Sequence, residues 1–170
     1  PNTESIRVAG ERGWIPMSNL PSRYIPGLWQ IVEEGAASTG KTADKSEFRL
    51  GRDIYVGLTP ESAREEARVV LGQPFEEHQW KNRKAGGILG HLKNDPSMAD
   101  EDVDVDYMME NIWIVGDPQE CADQIRKIHG EVGGFGTLLA VTQDPDDHQW
   151  QHECLELLKN EVGPRIADLE

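Results

Sequence analysis

Several stretches of this sequence have the residue types and spacing of known chemistry. Gly35-Ala36-Ala37-Ser38-Thr39-Gly40-Lys41-Thr42 matches the G-x-x-x-x-G-K-T loop, whose backbone N–H groups and lysine hold the phosphates of a nucleotide. That loop works where it leaves a strand and opens a helix. Here it follows a helical pattern and runs into polar residues, so it reads as a helix C-terminus with Gly40 in a left-handed cap. His148 and His152 stand four apart, on one face of a helix, but no third and fourth ligand has recognisable zinc spacing. Asp100, Asp102, Asp104 and Asp106 alternate as calcium ligands do, yet Tyr107 stands where the loop needs Gly and Trp113 where it needs Glu. That run reads as a solvated loop, and no metal is expected.

Asn2, Thr3 and Ser5 are a different case, because their amide and hydroxyl groups coincide with the unpaired N–H groups of a helix start. Such a start attracts anions through its donors and its partial positive charge, and hydroxyls add hydrogen bonds to a phosphate. Simple capping explains the same residues, and the charge of Glu4 works against a dianion in that turn. On the residues alone both readings stay open.

The elements that must position these groups alternate between helical and strand-like patterns, which indicates α/β architecture. A short helix is expected over Glu4–Arg12, closed by Gly13. Trp14-Ile15-Pro16-Met17-Ser18 is a short apolar run expected to be a buried strand ending on something polar, with Pro16 lacking a ladder donor. Between 22 and 37, Ile25, Leu28, Trp29, Val32 and Ala36 recur at helical spacing on one face. Phe48–Val56 ends in Ile54-Tyr55-Val56, the strongest β signal in the chain. Thr59-Pro60-Glu61 then opens a helix to about Leu71. The stretch 72–110 is less regular and is expected to be an insertion, with a helix near Glu76–Lys84 and a helical turn at Val105–Asn111. Asp117-Pro118 starts an amphipathic helix ended by Gly133-Gly134. Phe135–Thr142 is expected to be a buried strand, and Asp144–Asp147 should cap a last helix. About three strands separated by helices are too few to close a barrel of eight.

Composition narrows the partners. Lys plus Arg number 17 against 31 Asp plus Glu, a formal charge of −14 that would repel a phosphate backbone, so nucleic acid is not expected. No run approaches the ~18 apolar residues of a membrane span. Cys121 and Cys154 form no disulfide framework and suit a reducing, cytoplasmic setting. Pro1-Asn2-Thr3, without an initiator Met, suggests a part upstream.

Four segments in order carry a family resemblance: Ser5-Ile6-Arg7-Val8-Ala9-Gly10-Glu11-Arg12-Gly13-Trp14-Ile15-Pro16-Met17-Ser18, Ser46-Glu47-Phe48-Arg49-Leu50, Asn111-Ile112-Trp113-Ile114-Val115-Gly116-Asp117-Pro118 and Gly133-Gly134-Phe135-Gly136-Thr137-Leu138-Leu139. Together they resemble the bacterial-luciferase-like flavin monooxygenases over nearly the whole chain. The resemblance implies the C-terminal part of a TIM (β/α)8 barrel, residues 1–170 starting at the end of its fifth strand, since the family barrel is about twice this length. It implies that Asn2, Thr3 and Ser5 hold the phosphate of reduced FMN. It also implies that Met17, Ser18 and Asn19 lie by the flavin ring at the C-terminal mouth of the sixth strand. The implied reaction inserts one oxygen atom from O2 into a small organic substrate through a flavin peroxide, with a flavin reductase as partner and a homo-oligomer expected. No catalytic residue is assigned, because the family's polar groups nearest the reactive edge come from strands outside this chain. A non-catalytic half-barrel that folds by self-association, and a deazaflavin-dependent oxidoreductase of the same fold, are the alternatives.

Overall fold

The computed structural model describes residues 3–142 and 148–169, whose contacts gather into two compact units: residues 3–51 with 127–139, and residues 52–126 with 140–142 and 148–169. The expected cap at Asp144–Asp147 lies outside the described residues.

In the first unit, helix α1 (Thr3–Arg12) is followed by strand β1 (Met17–Ser18), helix α2 (Ile25–Ser38) and the start of strand β2 (Arg49–Val56). Glycines set the closeness of the two helices. A Cβ on Gly10 would lie 2.1 Å from the Val32 carbonyl oxygen, and one on Gly35 would lie 2.3 Å from that of Arg7. The backbones therefore touch, and the apolar face of α2 buries Ile25, Trp29, Val32 and Ala36. Gly40, at φ +73°, turns the chain out of α2: its N–H donates to the Ala37 carbonyl at 3.0 Å and that of Lys41 to Ala36 at 2.9 Å. The Lys41 ammonium donates to the Glu11 carbonyl near the C-terminus of α1, and the Thr39 hydroxyl reaches the same oxygen at 3.1 Å. The phosphate-loop lookalike is thus used for helix packing and capping.

The expectation of a buried strand over Trp14–Ser18 is corrected. Only Met17 and Ser18 pair, in parallel with Arg49 and Leu50 of β2, while Trp14, Ile15 and Met17 are 57%, 47% and 68% exposed. A short apolar run is buried only if layers cover both its faces, and the described residues do not supply both here. Pro16 still contributes its carbonyl, which accepts from the Arg49 N–H at 3.1 Å. Strand β4 (Thr137–Val141) also pairs with β2, where the N–H groups of Gly136 and Thr137 reach the Phe48 carbonyl at 3.1 and 3.3 Å. It too is exposed or half-buried along its length, against the buried strand expected.

In the second unit, the end of β2 pairs in parallel with strand β3 (Ile114–Gly116), Ile54 opposite Ile114 and Val56 opposite Gly116. This strand was not expected, and it brings the count among the described residues to four. Helix α3 (Pro60–Ala67) starts in a capping box, the Thr59 hydroxyl accepting from the Ser62 N–H at 3.1 Å and the Ser62 hydroxyl from the Thr59 N–H at 3.2 Å.

Helical backbone continues to Ala85, through wide π-turns at Arg68–Gly72 and Phe75–Gln79, into α4 (Trp80–Ala85). Helix α7 (His148–Leu157) likewise passes through a π-turn at Leu158–Val162 into α8 (Gly163–Arg165). A proline, Pro74 or Pro164, follows a π-turn in each case. Proline lacks the N–H and crowds the carbonyl four residues back, and a wider turn accommodates both defects. The expected insertion at 72–110 ends in helix α5 (Val105–Asn111), where a helical turn was expected. Helix α6 (Pro118–Val132) starts at Asp117, whose carboxylate accepts from the N–H groups of Gln119 and Glu120 at 2.9 and 2.8 Å.

Three of the four alternating aspartates have local partners. Asp100 pairs with Lys84 at 3.2 Å and Lys93 at 2.8 Å, Asp104 accepts from the Tyr107 N–H at 2.8 Å as the cap of α5, and Asp106 pairs with Arg68.

Candidate functional site

A cleft of about 270 Å³ lies within the first unit, between the first turns of α1, the end of β1 and one face of α2. Ser5, Met17, Ser18 and Asn19, singled out in the sequence, line it together. Thr3 is exposed in the first turn of α1 and is not among the lining residues, and Asn2 lies outside the described residues. Spacing along the chain did not announce the rest of the wall. Leu28, Trp29 and Val32 share the helical face read as core, and Ile6, Leu20 and Phe48 complete the apolar surface.

Local structure explains why the polar groups stand where they do. Ser5 is carried by the first turns of α1, whose far end the Lys41 and Thr39 contacts hold against α2. Ser18 ends β1, and its hydroxyl oxygen accepts from the Leu20 N–H at 3.2 Å, so the chain turns sharply out of the strand there. Trp29 lines the cleft, with its ring tilted 59° against Phe48 at a centroid distance of 5.8 Å. The indole N–H donates to Glu33 at 2.9 Å, and Lys45 stands 5.6 Å from the ring centre while donating to the Val132 carbonyl. Burial pushes the Lys45 ammonium pKa down, an effect opposed by Glu33. Among the described residues, none of those lining the cleft is charged.

A second, smaller cleft of about 170 Å³ shares Pro16, Trp29 and Val32 with the first and is edged by Lys41, Asp44 and Glu47. Lys41 is already engaged by the Glu11 carbonyl, and Asp44 accepts from the Ser46 N–H and hydroxyl at 2.9 and 2.7 Å, so part of that rim serves local structure.

In the second unit both cysteines are buried in the packing. The Cys121 thiol faces the Gly116 carbonyl at 3.5 Å, and the Cys154 sulfur accepts from the Val56 N–H at 3.2 Å. Burial pushes both thiols up, Cys121 well above the usual range and Cys154 against the opposing Val56 hydrogen bond, so neither is a nucleophile near neutral pH. Tyr55 donates to Glu66 at 3.0 Å, and burial followed by that bond raises its pKa. Among the described residues no group of three or more His, Cys, Asp or Glu could hold a metal ion, and no helix is long and apolar enough to cross a membrane.

The family model described as luciferase-like monooxygenase matches residues 2–133, most of the chain. The chain belongs to this family. It is 28% identical over 171 residues to a 3,6-diketocamphane 1,6-monooxygenase of Pseudomonas putida, covering 97% of this chain and 44% of that protein. It is 28% identical over 174 residues to a 2,5-diketocamphane 1,2-monooxygenase of the same organism, covering 97% and 47%. Among solved structures, the oxygenating constituent of 3,6-diketocamphane monooxygenase from Pseudomonas putida, a type II Baeyer-Villiger monooxygenase in complex with FMN, superposes with a TM-score of 0.86. That match has 26% identity and covers 95% of this chain and 45% of the other. The chain thus spans a little under half the length of these relatives. Parallel strands joined by helices, in a chain of this length, correspond to part of the family's TIM barrel.

Proposed function

We propose that this chain contributes the FMN-phosphate end of a luciferase-like monooxygenase that transfers one oxygen atom from O2 to a small organic substrate. The observation that carries the reading is the position of Ser5. It stands in the first turn of a ten-residue helix, where N–H groups lack intrahelical partners, and it also lines the cleft that holds Met17, Ser18 and Asn19. One anionic tail and one ring system could therefore be served from adjoining positions. Similarity to a protein solved with FMN supports the same assignment.

In this reading the hydroxyls of Thr3 and Ser5, with Asn2, hydrogen-bond the phosphate, and the helix N-terminus favours its charge. Met17, Ser18 and Asn19 border the ring. When bound, reduced FMN supplies the electrons for O2 chemistry. The chain's own tasks are to orient the cofactor and to keep water from it, for which the apolar wall of Ile6, Leu20, Leu28, Trp29 and Phe48 is suited. A separate flavin reductase as electron source, and a homo-oligomeric parent, belong to the same proposal.

The test is an FMN titration of the full-length parent. Replacing Asn2, Thr3 and Ser5 together by Ala should weaken FMN binding by at least tenfold, and unchanged affinity would remove the assignment. A parallel titration with a deazaflavin cofactor distinguishes the two cofactor classes, because preferential binding of the deazaflavin would replace the monooxygenase reading.

A further inference from the structure

We propose that the second unit carries a binding site for a free amino acid with an aliphatic side chain, whose carboxylate lies against Arg64 and Arg68 and whose ammonium meets Glu110. The site shares no residue with the cleft assigned to the flavin, so it goes beyond the proposed function and does not depend on it.

A cavity of about 250 Å³ opens between α3, α5 and β3. Its cationic side comes from Arg64 of α3 and from Arg68 at the start of the π-turn, a spacing that puts two guanidinium groups one helical turn apart on one face. Arg64 donates through Nη2 to both carboxylate oxygens of Glu120 at 3.2 Å, and Arg68 donates through Nη2 to Asp106. Among the described residues, the Nη1 and Nε groups of both arginines donate to no protein acceptor, so each keeps donors for a further oxyanion. Both ion pairs are about half exposed, and pairs of that kind hold their members weakly, so a ligand carboxylate can join them.

The anionic side comes from α5, where Glu110 stands one turn beyond Asp106 and has no partner among the described residues. Two arginines and two carboxylates, Asp106 and Glu110, line the cavity, so its charges cancel while remaining separated. A phosphate or a simple amine would leave one half of that lining unmatched, whereas a molecule that is itself neutral but dipolar matches both halves. Met109 and Val115 add an apolar surface for an aliphatic side chain, and the Gln124 carboxamide is already engaged by the Val115 backbone. The volume falls below the ~300–1,000 Å³ of sites for drug-sized ligands, which suits one amino acid better than a longer peptide.

Calorimetric titration of the full-length parent with leucine, isocaproate and isoamylamine tests the proposal, because the last two are leucine without its ammonium and leucine without its carboxylate. Leucine should bind saturably at millimolar or lower concentration, and each analogue should bind roughly tenfold more weakly, the loss of one charge-assisted contact. Glu110→Gln, which removes an exposed charge that pairs with no described residue, should weaken leucine about tenfold and leave isocaproate unchanged. Arg64→Lys, which keeps the charge but loses the forked donors, should weaken leucine and isocaproate alike. Circular dichroism checks that both variants fold, and Glu110→Gln alone decides the matter if Arg64→Lys does not. A wild type without a saturable leucine response would overturn the proposal. So would equal binding of isocaproate, tighter binding of inorganic phosphate, or an unaltered leucine affinity in Glu110→Gln.

Discussion

Gly35 of α2 lies directly against Arg7 of α1: a Cβ placed on the glycine would stand 2.3 Å from the arginine's carbonyl oxygen. The obstruction is backbone, which cannot rotate aside as a flexible side chain could. The reciprocal approach of Gly10 to Val32, at 2.1 Å for the added Cβ, makes the packing two-sided. Gly35→Ala should therefore force the helices apart and cost about 3 kcal/mol, the upper part of the ~1–3 kcal/mol range for overpacking. Thermal denaturation measures it, and a melting temperature equal to wild type would contradict the contact. Because Ser5 rides on α1 and Leu28 on α2, the same variant should also weaken FMN binding.

Gln124 supplies the second prediction. Its carboxamide reaches both backbone groups of Val115, donating to the carbonyl at 2.8 Å and accepting from the N–H at 3.3 Å. A side chain thus takes the place of a neighbouring strand at the central residue of β3, a strand that is buried throughout. Gln124→Leu would keep the side chain's bulk and leave both Val115 groups unpaired, at a cost of about 1–3 kcal/mol. Urea denaturation should show the loss, and hydrogen exchange of the Val115 amide should accelerate. Protection equal to wild type would mean that the carboxamide is dispensable.

Alkaline pH should destabilise the second unit. Cys121, Cys154 and Tyr55 all have pKa values raised by burial above their ordinary values of 9.0, 9.0 and 10.0. Since the native state holds protons that the unfolded chain releases, stability is complete below about pH 9 and falls as pH climbs through and beyond the unfolded values. Unfolding free energy measured from pH 7 to 11 should decline above pH 9. Tyr55→Phe, which removes one of these groups, should flatten the decline, and an identical slope would rule out the tyrosine's share. At pH 7.5 neither thiol should react with a disulfide reagent until the protein is unfolded.

Thr59 offers a more local test. Its hydroxyl and that of Ser62 satisfy each other's backbone N–H groups at the start of α3. Thr59→Ala should cost about 1 kcal/mol, whereas Thr59→Ser should cost less than half of that. Equal losses for the two would show that the cap hydroxyl contributes little.

How much of the chain was legible beforehand followed from the range of the interactions concerned. Thr59-Pro60, Asp117-Pro118, Gly40 and Gly133 marked helix ends because a cap is made within a few residues of itself, and the helical face of Ile25, Trp29, Val32 and Ala36 recurs at a fixed spacing. The sequence alone also carried the family resemblance, and with it the selection of Ser5, Met17, Ser18 and Asn19. Other features depended on partners distant in the chain. Ile114-Val115-Gly116 is too short for a period to show, and it becomes a strand by pairing with Ile54-Tyr55-Val56. Trp14–Ser18 and Thr137–Val141 have the composition of buried strands, yet burial depends on which layers cover them. The cleft likewise gathers Ser5 of α1, Ser18 of β1 and Leu28 of α2, residues that lie far apart in the chain, beside two helices that Gly10 and Gly35 let approach closely. Local hydrogen bonding and side-chain periodicity are written along the chain, whereas cavities and exposure are decided by the packing of distant segments, where tertiary structure alone has the final word.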